Sequence, residues 1–293
     1  MKSIGIILLF PYFIYAQNTL TGKVVNAKTK LPVPFATVGI INQNVGTSAA
    51  EDGIFTLSMV TTAAIDTILV SCTGYTTLKM PYRFNEKESL TIELNEITNI
   101  LNTVVLTNKK RLTEVALNDF TSCGTYFIGS NGYQTQLAQH FYMQEADAIL
   151  TSIKICRFSM GIFYPEKTIF RVRIYDIDTV TKAPSIDLCD QIIEVKSSKR
   201  YIYLNLAKYN IHIPGKDFFV AIEWLKIPYN KSVSKRVGSG KAVYDTSYTP
   251  SIGWTDNESP NMEAWKLDYT NKWRPMYSYR AKTNVAISAT VKY

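Results

Sequence analysis

Apolar residues in this chain recur at every second position. Residues 54–59 set Phe55, Leu57 and Met59 against Ile54, Thr56 and Ser58. Residues 168–177 set Phe170, Val172 and Ile174 against Arg171, Arg173 and Tyr175. A strand turns successive side chains to opposite faces, so this alternation builds pleated sheets with one buried face. No stretch within residues 19–94 sustains the 3.6-residue apolar period of a helix. The chain therefore reads as all-β. Its 19 Tyr and 13 Phe suit pleated surfaces. A hydrophobic content of 46% argues against disorder, and 293 residues leave room for two domains with real cores.

Residues 1–16 predict a secretory signal peptide: Lys2, an apolar run over residues 4–15, then Ala16 before Gln17. That run is short for a membrane span, and no transmembrane span is expected in the mature chain. Strand candidates occupy residues 19–26, 35–42, 54–59, 65–72, 75–80 and 90–94, with a turn signal at Asp52-Gly53. They define a first domain over residues 17–107. Polar and basic residues over 108–120 predict a linker. The second domain, 121–293, has strand candidates at 150–160, 168–177, 192–195, 200–206, 217–224 and 285–291. The near-continuous apolar run of residues 217–224 places that strand centrally in a sheet. Residues 228–280, rich in Gly, Ser, Tyr, Trp and Asn, predict long loops and short edge strands. Strands at this spacing suit a β-sandwich or jelly roll.

Four ordered motifs in the first domain carry a family likeness. They are Thr21-Gly22-Lys23-Val24-Val25, Leu31-Pro32-Val33-Pro34-Phe35-Ala36-Thr37-Val38, Glu51-Asp52-Gly53-Ile54-Phe55-Thr56-Leu57 and Ser71-Cys72-Thr73-Gly74-Tyr75. Together, over residues 19–95, they resemble the carboxypeptidase regulatory-like domain. The resemblance implies a transthyretin-like seven-stranded sandwich. It also implies an exported accessory module of Bacteroidetes-type envelope proteins, and it implies no peptidase activity. Leu101 to Thr107 resembles the segment that joins such domains to the plug of TonB-dependent receptors, but the rest of the chain is too short for that plug and its barrel. The second domain is similar, in its strand–turn–strand order, to jelly-roll modules of bacterial surface proteins.

Catalytic constellations do not emerge. His140 and His212 lack a second His or Cys at ligand spacing, and no HExxH or GxSxG occurs. Asp187, Asp190, Glu223, Glu258 and Glu263 are carboxylates with no evident pairing. Glu223 stands out because a carboxylate in an apolar run must be satisfied, for instance by Arg171 or Arg173. Asp176 and Asp178, two apart at a strand end, are candidate ligands for Ca2+, and no other cofactor is expected. Cys72, Cys123, Cys156 and Cys189 allow three pairings, with Cys72 read as a buried free thiol. The formal net charge of +8 is diffuse and carries no nucleic-acid motif, so a nucleic-acid partner is not expected.

The remaining site candidates are aromatic. Trp254, Trp265, Trp273, Tyr244 and Tyr269 fall in the loop-rich segment, where exposed rings stack on sugars or anchor a protein partner. The expected function is a non-catalytic cell-envelope protein, exported to the periplasm or the outer-membrane surface, that binds a glycan or an envelope protein. The alternatives are an assembly component of an envelope complex and a carbohydrate-active hydrolase.

Overall fold

The computed structural model describes residues 17–60, 65–83, 89–97, 113–130, 134–158, 167–238, 241–255, 263–276 and 284–293. The expected signal peptide, the segment 101–107 and the first part of the expected linker lie outside the described residues.

The first unit has seven strands: β1 (Gln17–Asn26), β2 (Thr37–Ile40), β3 (Val45–Ser48), β4 (Ile54–Val60), β5 (Ile65–Ser71), β6 (Leu78–Arg83) and β7 (Leu90–Leu94). One sheet has the order β4-β1-β7 and the other β3-β2-β5-β6. β1 runs antiparallel to β4 and parallel to β7. Leu20, Val24, Phe55, Leu57 and Ile92 from one sheet share a cluster with Val38, Ile40, Ile68 and Val70 from the other. This is a β-sandwich. At the Asp52-Gly53 turn, Asp52 Oδ1 accepts the Ile54 N–H at 2.9 Å, and Gly53 takes a φ of +78°. Residues 45–48, outside the expected strands, form the edge strand β3 along β2. They are mostly half-buried, so they show no apolar alternation to read.

The remaining strands are β8 (Glu114–Leu117), β9 (Phe127–Ser130), β10 (Gln134–Tyr142), β11 (Ala148–Cys156), β12 (Thr168–Ile177), β13 (Pro184–Asp187), β14 (Ile193–Ser197), β15 (Tyr201–Asn205), β16 (Ile211–Ile213), β17 (Asp217–Trp224), β18 (Lys231–Gly238), β19 (Lys241–Gly253), β20 (Ala264–Asp268), β21 (Trp273–Pro275) and β22 (Ile287–Lys292). A seven-stranded sheet runs β13-β12-β17-β10-β20-β21, with β14 also on β12. A five-stranded sheet runs β15-β11-β22-β8, with β16 also on β11. Phe170, Val172, Ile174, Val220 and Ile222 of the first share one core with Leu150, Ile153, Ile155, Ile287 and Val291 of the second. β17 is central, as its apolar run predicts.

Two differences from expectation have simple causes. Glu114–Leu117, within the stretch read as a linker, pairs with β22 as an edge strand, and an exposed edge tolerates the polar residues that suggested a linker. Among the described residues, 228–280 hold four strands, β18 to β21; β18 and β21 are edge strands, as expected, but β19, of 13 residues, is a long inner strand. Their Val, Thr, Tyr and Trp favour strands. The β18–β19 hairpin, however, leaves much of its length in solvent and shows no buried face in the sequence.

Cys123 and Cys156 form a disulfide that ties the segment before β9 to the end of β11. Cys72 and Cys189 are free and buried. Among the described residues no helix is long and apolar enough to cross a membrane.

The two units are packed together. Phe35 joins Ile169, Leu225 and Ile227 in a small apolar cluster. The Lys226 N–H donates to Ser48 Oγ at 2.8 Å, and the Tyr269 N–H to Asn44 Oδ1 at 3.2 Å. Tyr269 is 2% exposed. A β-carbon added to Gly39 would lie 2.7 Å from its ring, and one added to Gly46 would lie 2.1 Å away. Gly39 and Gly46 face each other across β2 and β3, so together they leave a slot that a tyrosine ring fills.

Candidate functional site

The period of two in β12 points Phe170, Val172 and Ile174 into the large core. It turns Arg171, Arg173 and Tyr175 to the opposite face of the sheet. That face is not in water, because the first sandwich covers part of it. Arg171 is 2% exposed. Its Nη2 donates to the Pro34 carbonyl at 3.0 Å and its Nη1 contacts Cys72 Sγ at 3.4 Å. The guanidinium also lies 5.4 Å from the centre of the Phe35 ring. Both Pro34 and Phe35 belong to the first unit.

The neighbouring strands complete a buried polar row. In register, Glu223 of β17 sits opposite Arg171 of β12 on one side and Gln136 of β10 on the other. Arg173 Nε donates to Asp187 Oδ2 at 2.6 Å, and its Nη1 lies 3.6 Å from Glu223 Oε2. Glu223 is 4% exposed, and Oε2 has no hydrogen-bond partner among the described residues. Tyr175 donates its hydroxyl to Gln136 Oε1 at 2.9 Å. Its ring meets Trp273 edge-on, with centroids 5.7 Å apart.

Burial opposes ionisation at several of these groups. It pushes the Tyr175 phenol and the Cys72 thiol up, so both stay protonated at neutral pH. It also raises the Asp187 carboxyl, against the pull of Arg173. Burial acts against the charge on Arg173 as well, but the surrounding acidic groups, Asp187 and Glu223 among them, outweigh it and hold the guanidinium charged. Arg173 thus stands against two carboxylates, Asp187 and Glu223, while Arg171 is held by the Pro34 carbonyl and the Cys72 thiol.

Between the two units this face borders a cavity of about 360 Å³. Cys72, Gly74 and Tyr75 of the first unit lie on one wall; Gln136, Arg173, Asp187, Glu223, Asn271 and Trp273 are among the residues the second unit contributes. The walls combine one indole, a guanidinium, carboxylates and amides. They therefore offer an apolar platform beside many hydrogen-bond acceptors.

Of the five aromatic candidates, Trp273 alone borders this cavity. Trp265 lies in the same sheet but is 6% exposed, packs edge-on to Phe219 and donates Nε1–H to Glu263 at 3.2 Å. Trp254 is half-buried against the large core. Tyr269 fills the slot between the units. Tyr244 is 65% exposed on β19. The five do not form one surface. Asp176 Oδ1 accepts the Ile177 N–H, and Asp178 Oδ1 accepts those of Val180 and Thr181, so these oxygens close the turn after β12. Among the described residues no group of three or more His, Cys, Asp or Glu could hold a metal ion. His140 pairs with Asp217 at 2.9 Å and His212 with Asp147 at 2.6 Å.

The sequence signalled Glu223 through its apolar setting, and Arg173, its ion-pair partner, is one of the two it suggested. Gln136 gave no signal. It sits in a strand of which two glutamines are buried and hydrogen-bonded, Gln139 to Asn284 at 2.9 Å and Gln136 to Tyr175.

Residues 20–106 match the CarboxypepD_reg-like domain family. No curated protein matches the chain. Among solved structures the chain is similar to a putative membrane-associated protein of unknown function from Bacteroides fragilis NCTC 9343. The two share 11% identity over 94% of this chain and 96% of that one, with a TM-score of 0.23.

Proposed function

We propose that the protein is a non-catalytic, exported cell-envelope protein that binds a short glycan in the cavity between its two units, the second of them a β-sandwich of jelly-roll type. The observation that carries this reading is Glu223 Oε2, a buried acceptor bordering the cavity without a hydrogen-bond partner among the described residues. A buried acceptor without a donor is costly, and a ligand hydroxyl would supply the donor. A sugar presents both a ring face of C–H groups and an edge of hydroxyls. Trp273 suits the face; Asp187, Asp190, Asn271 and Glu223 suit the edge. The pairing of Asp187 and Glu223 with Arg173 speaks for holding a ligand rather than for acid–base chemistry. Export is supported by the apolar start of the sequence and by the Cys123–Cys156 disulfide, since such bonds persist in oxidising compartments.

The test is calorimetric titration of the full chain with a panel of neutral and amino oligosaccharides. Trp273→Ala and Glu223→Gln should each weaken binding by about tenfold, the loss of one stacking contact or one charged hydrogen bond. The unfolding midpoint of Trp273→Ala should stay close to that of the wild type. Absence of glycan binding, or binding indifferent to both substitutions, would remove the proposal.

A further inference from the structure

The β18–β19 hairpin pairs from Lys231↔Tyr248 to Gly238↔Lys241, and its outer part stands clear of the large core. Val233 is 56% exposed, Val243 47% and Tyr244 65%. The sheet order is β18-β19-β9, so among the described residues β18 is hydrogen-bonded on one side and open on the other. Residues paired across a ladder share a face, which puts Val233, Lys235 and Tyr244 on one side of the ribbon. A two-stranded ribbon without a core behind it is marginal in water, and a third strand is the usual remedy. The sequence of the two strands is basic: Lys231, Lys235, Arg236 and Lys241 against Asp245.

We propose that the open edge of β18 is a docking site for an acidic strand of a partner protein, which extends this sheet by one strand. The proposal is independent of the cavity. Alternate residues of an edge strand turn their N–H and C=O groups outward, and an added strand pairs with them in register. The charge selects the occupant. Lysines on an edge strand refuse another strand of the same charge, which is how sheet edges avoid self-association. A second copy would bring the same exposed Lys231 and Lys235 to this edge, within a chain whose formal charge is +8. A strand bearing Asp or Glu meets the same lysines as complementary ion pairs.

The experiment uses the full chain at low ionic strength and two synthetic peptides of about eight residues, the length of β18. One alternates Val with Glu, the other Val with Lys. Binding is read by fluorescence anisotropy, and amide hydrogen exchange reports on residues 231–238. The acidic peptide should bind about tenfold more tightly than the basic one, the size of two exposed ion pairs, and should slow exchange at alternate amides of β18. The variant Lys231→Glu with Lys235→Glu changes only exposed side chains, and it should invert the preference. Equal binding of the two peptides, or a preference that survives the reversal, would overturn the proposal. So would binding without protection in β18, preferential binding to anionic phospholipid vesicles, or concentration-dependent self-association that protects the same amides.

Discussion

Arg173 is the residue on which the buried row depends. It faces two carboxylates, Asp187 and Glu223, and its side chain is only 15% exposed. Breaking a buried pair from one side leaves the other charge without compensation, which costs more than the pair is worth. Arg173→Met should therefore destabilise the protein by about 3–5 kcal/mol in urea unfolding. Adding Asp187→Asn and Glu223→Gln should recover a large part of that loss. A triple variant no more stable than the single one would show that the arginine acts by packing instead. At this scale the sequence was informative where a residue contradicted its surroundings. Glu223 in an apolar run demanded a partner. Gln136 and Tyr175, polar or amphipathic residues in ordinary-looking strands, made no such demand.

At the scale of elements, the slot between β2 and β3 shows how two strands receive a ring from the other unit. Gly39 and Gly46 face each other in register, and Tyr269 occupies the space that two side chains would have filled. Gly46→Ala places a methyl group 2.1 Å from the ring, so Tyr269 must leave or the strands must part. The expected cost is about 1–3 kcal/mol, typical of overpacking. The junction should loosen, seen as faster proteolytic cleavage between the two units. Unchanged cleavage and unchanged stability would mean that the ring has another seat. Elements with a clean apolar face, such as β4 and β12, were legible from alternation alone, and β17 from its near-continuous apolar run. β3, β10 and β18 were not. β10 buries glutamines that find partners inside the protein, and β18 stands where alternation has no core to obey. The three motifs around Pro32, Gly53 and Gly74 were legible because turns need particular residues at fixed places.

For the whole molecule, periodicity told which residues of a strand share a face but not what covers that face. Arg171, Arg173 and Tyr175 read equally well as a solvated surface; the docked first sandwich buries Arg171, while Trp273, Gln136 and Asp187 of the second unit help cover Tyr175 and Arg173. Lys226, at the same junction, reports on that docking. Burial pushes its pKa down to about 7 from the ordinary 10.5, and the rings of Tyr269 and Tyr248 lie 4.4 Å and 5.7 Å from its ammonium. Burial raises both phenols above their ordinary value. Between about pH 7 and 10.5 the unfolded chain holds a proton at Lys226 that the folded chain has released. Stability from this group therefore rises with pH across that window and is lowest below it. Lys226→Met should exceed the wild type in stability by on the order of 3 kcal/mol at pH 6, with the advantage shrinking toward pH 10. Parallel pH profiles for the two proteins would contradict it.

The position of β22 has a consequence for the order of events in the cell. It lies between β11 and β8, yet it comes after both in the chain. Until residues 287–292 have been made, the five-stranded sheet lacks its middle, and the apolar side chains on either side have nothing to close upon. In the export proposed above, the chain would cross its membrane unfolded. A keystone strand that arrives after all its neighbours would keep the second domain threadable during transit and let it set on the far side.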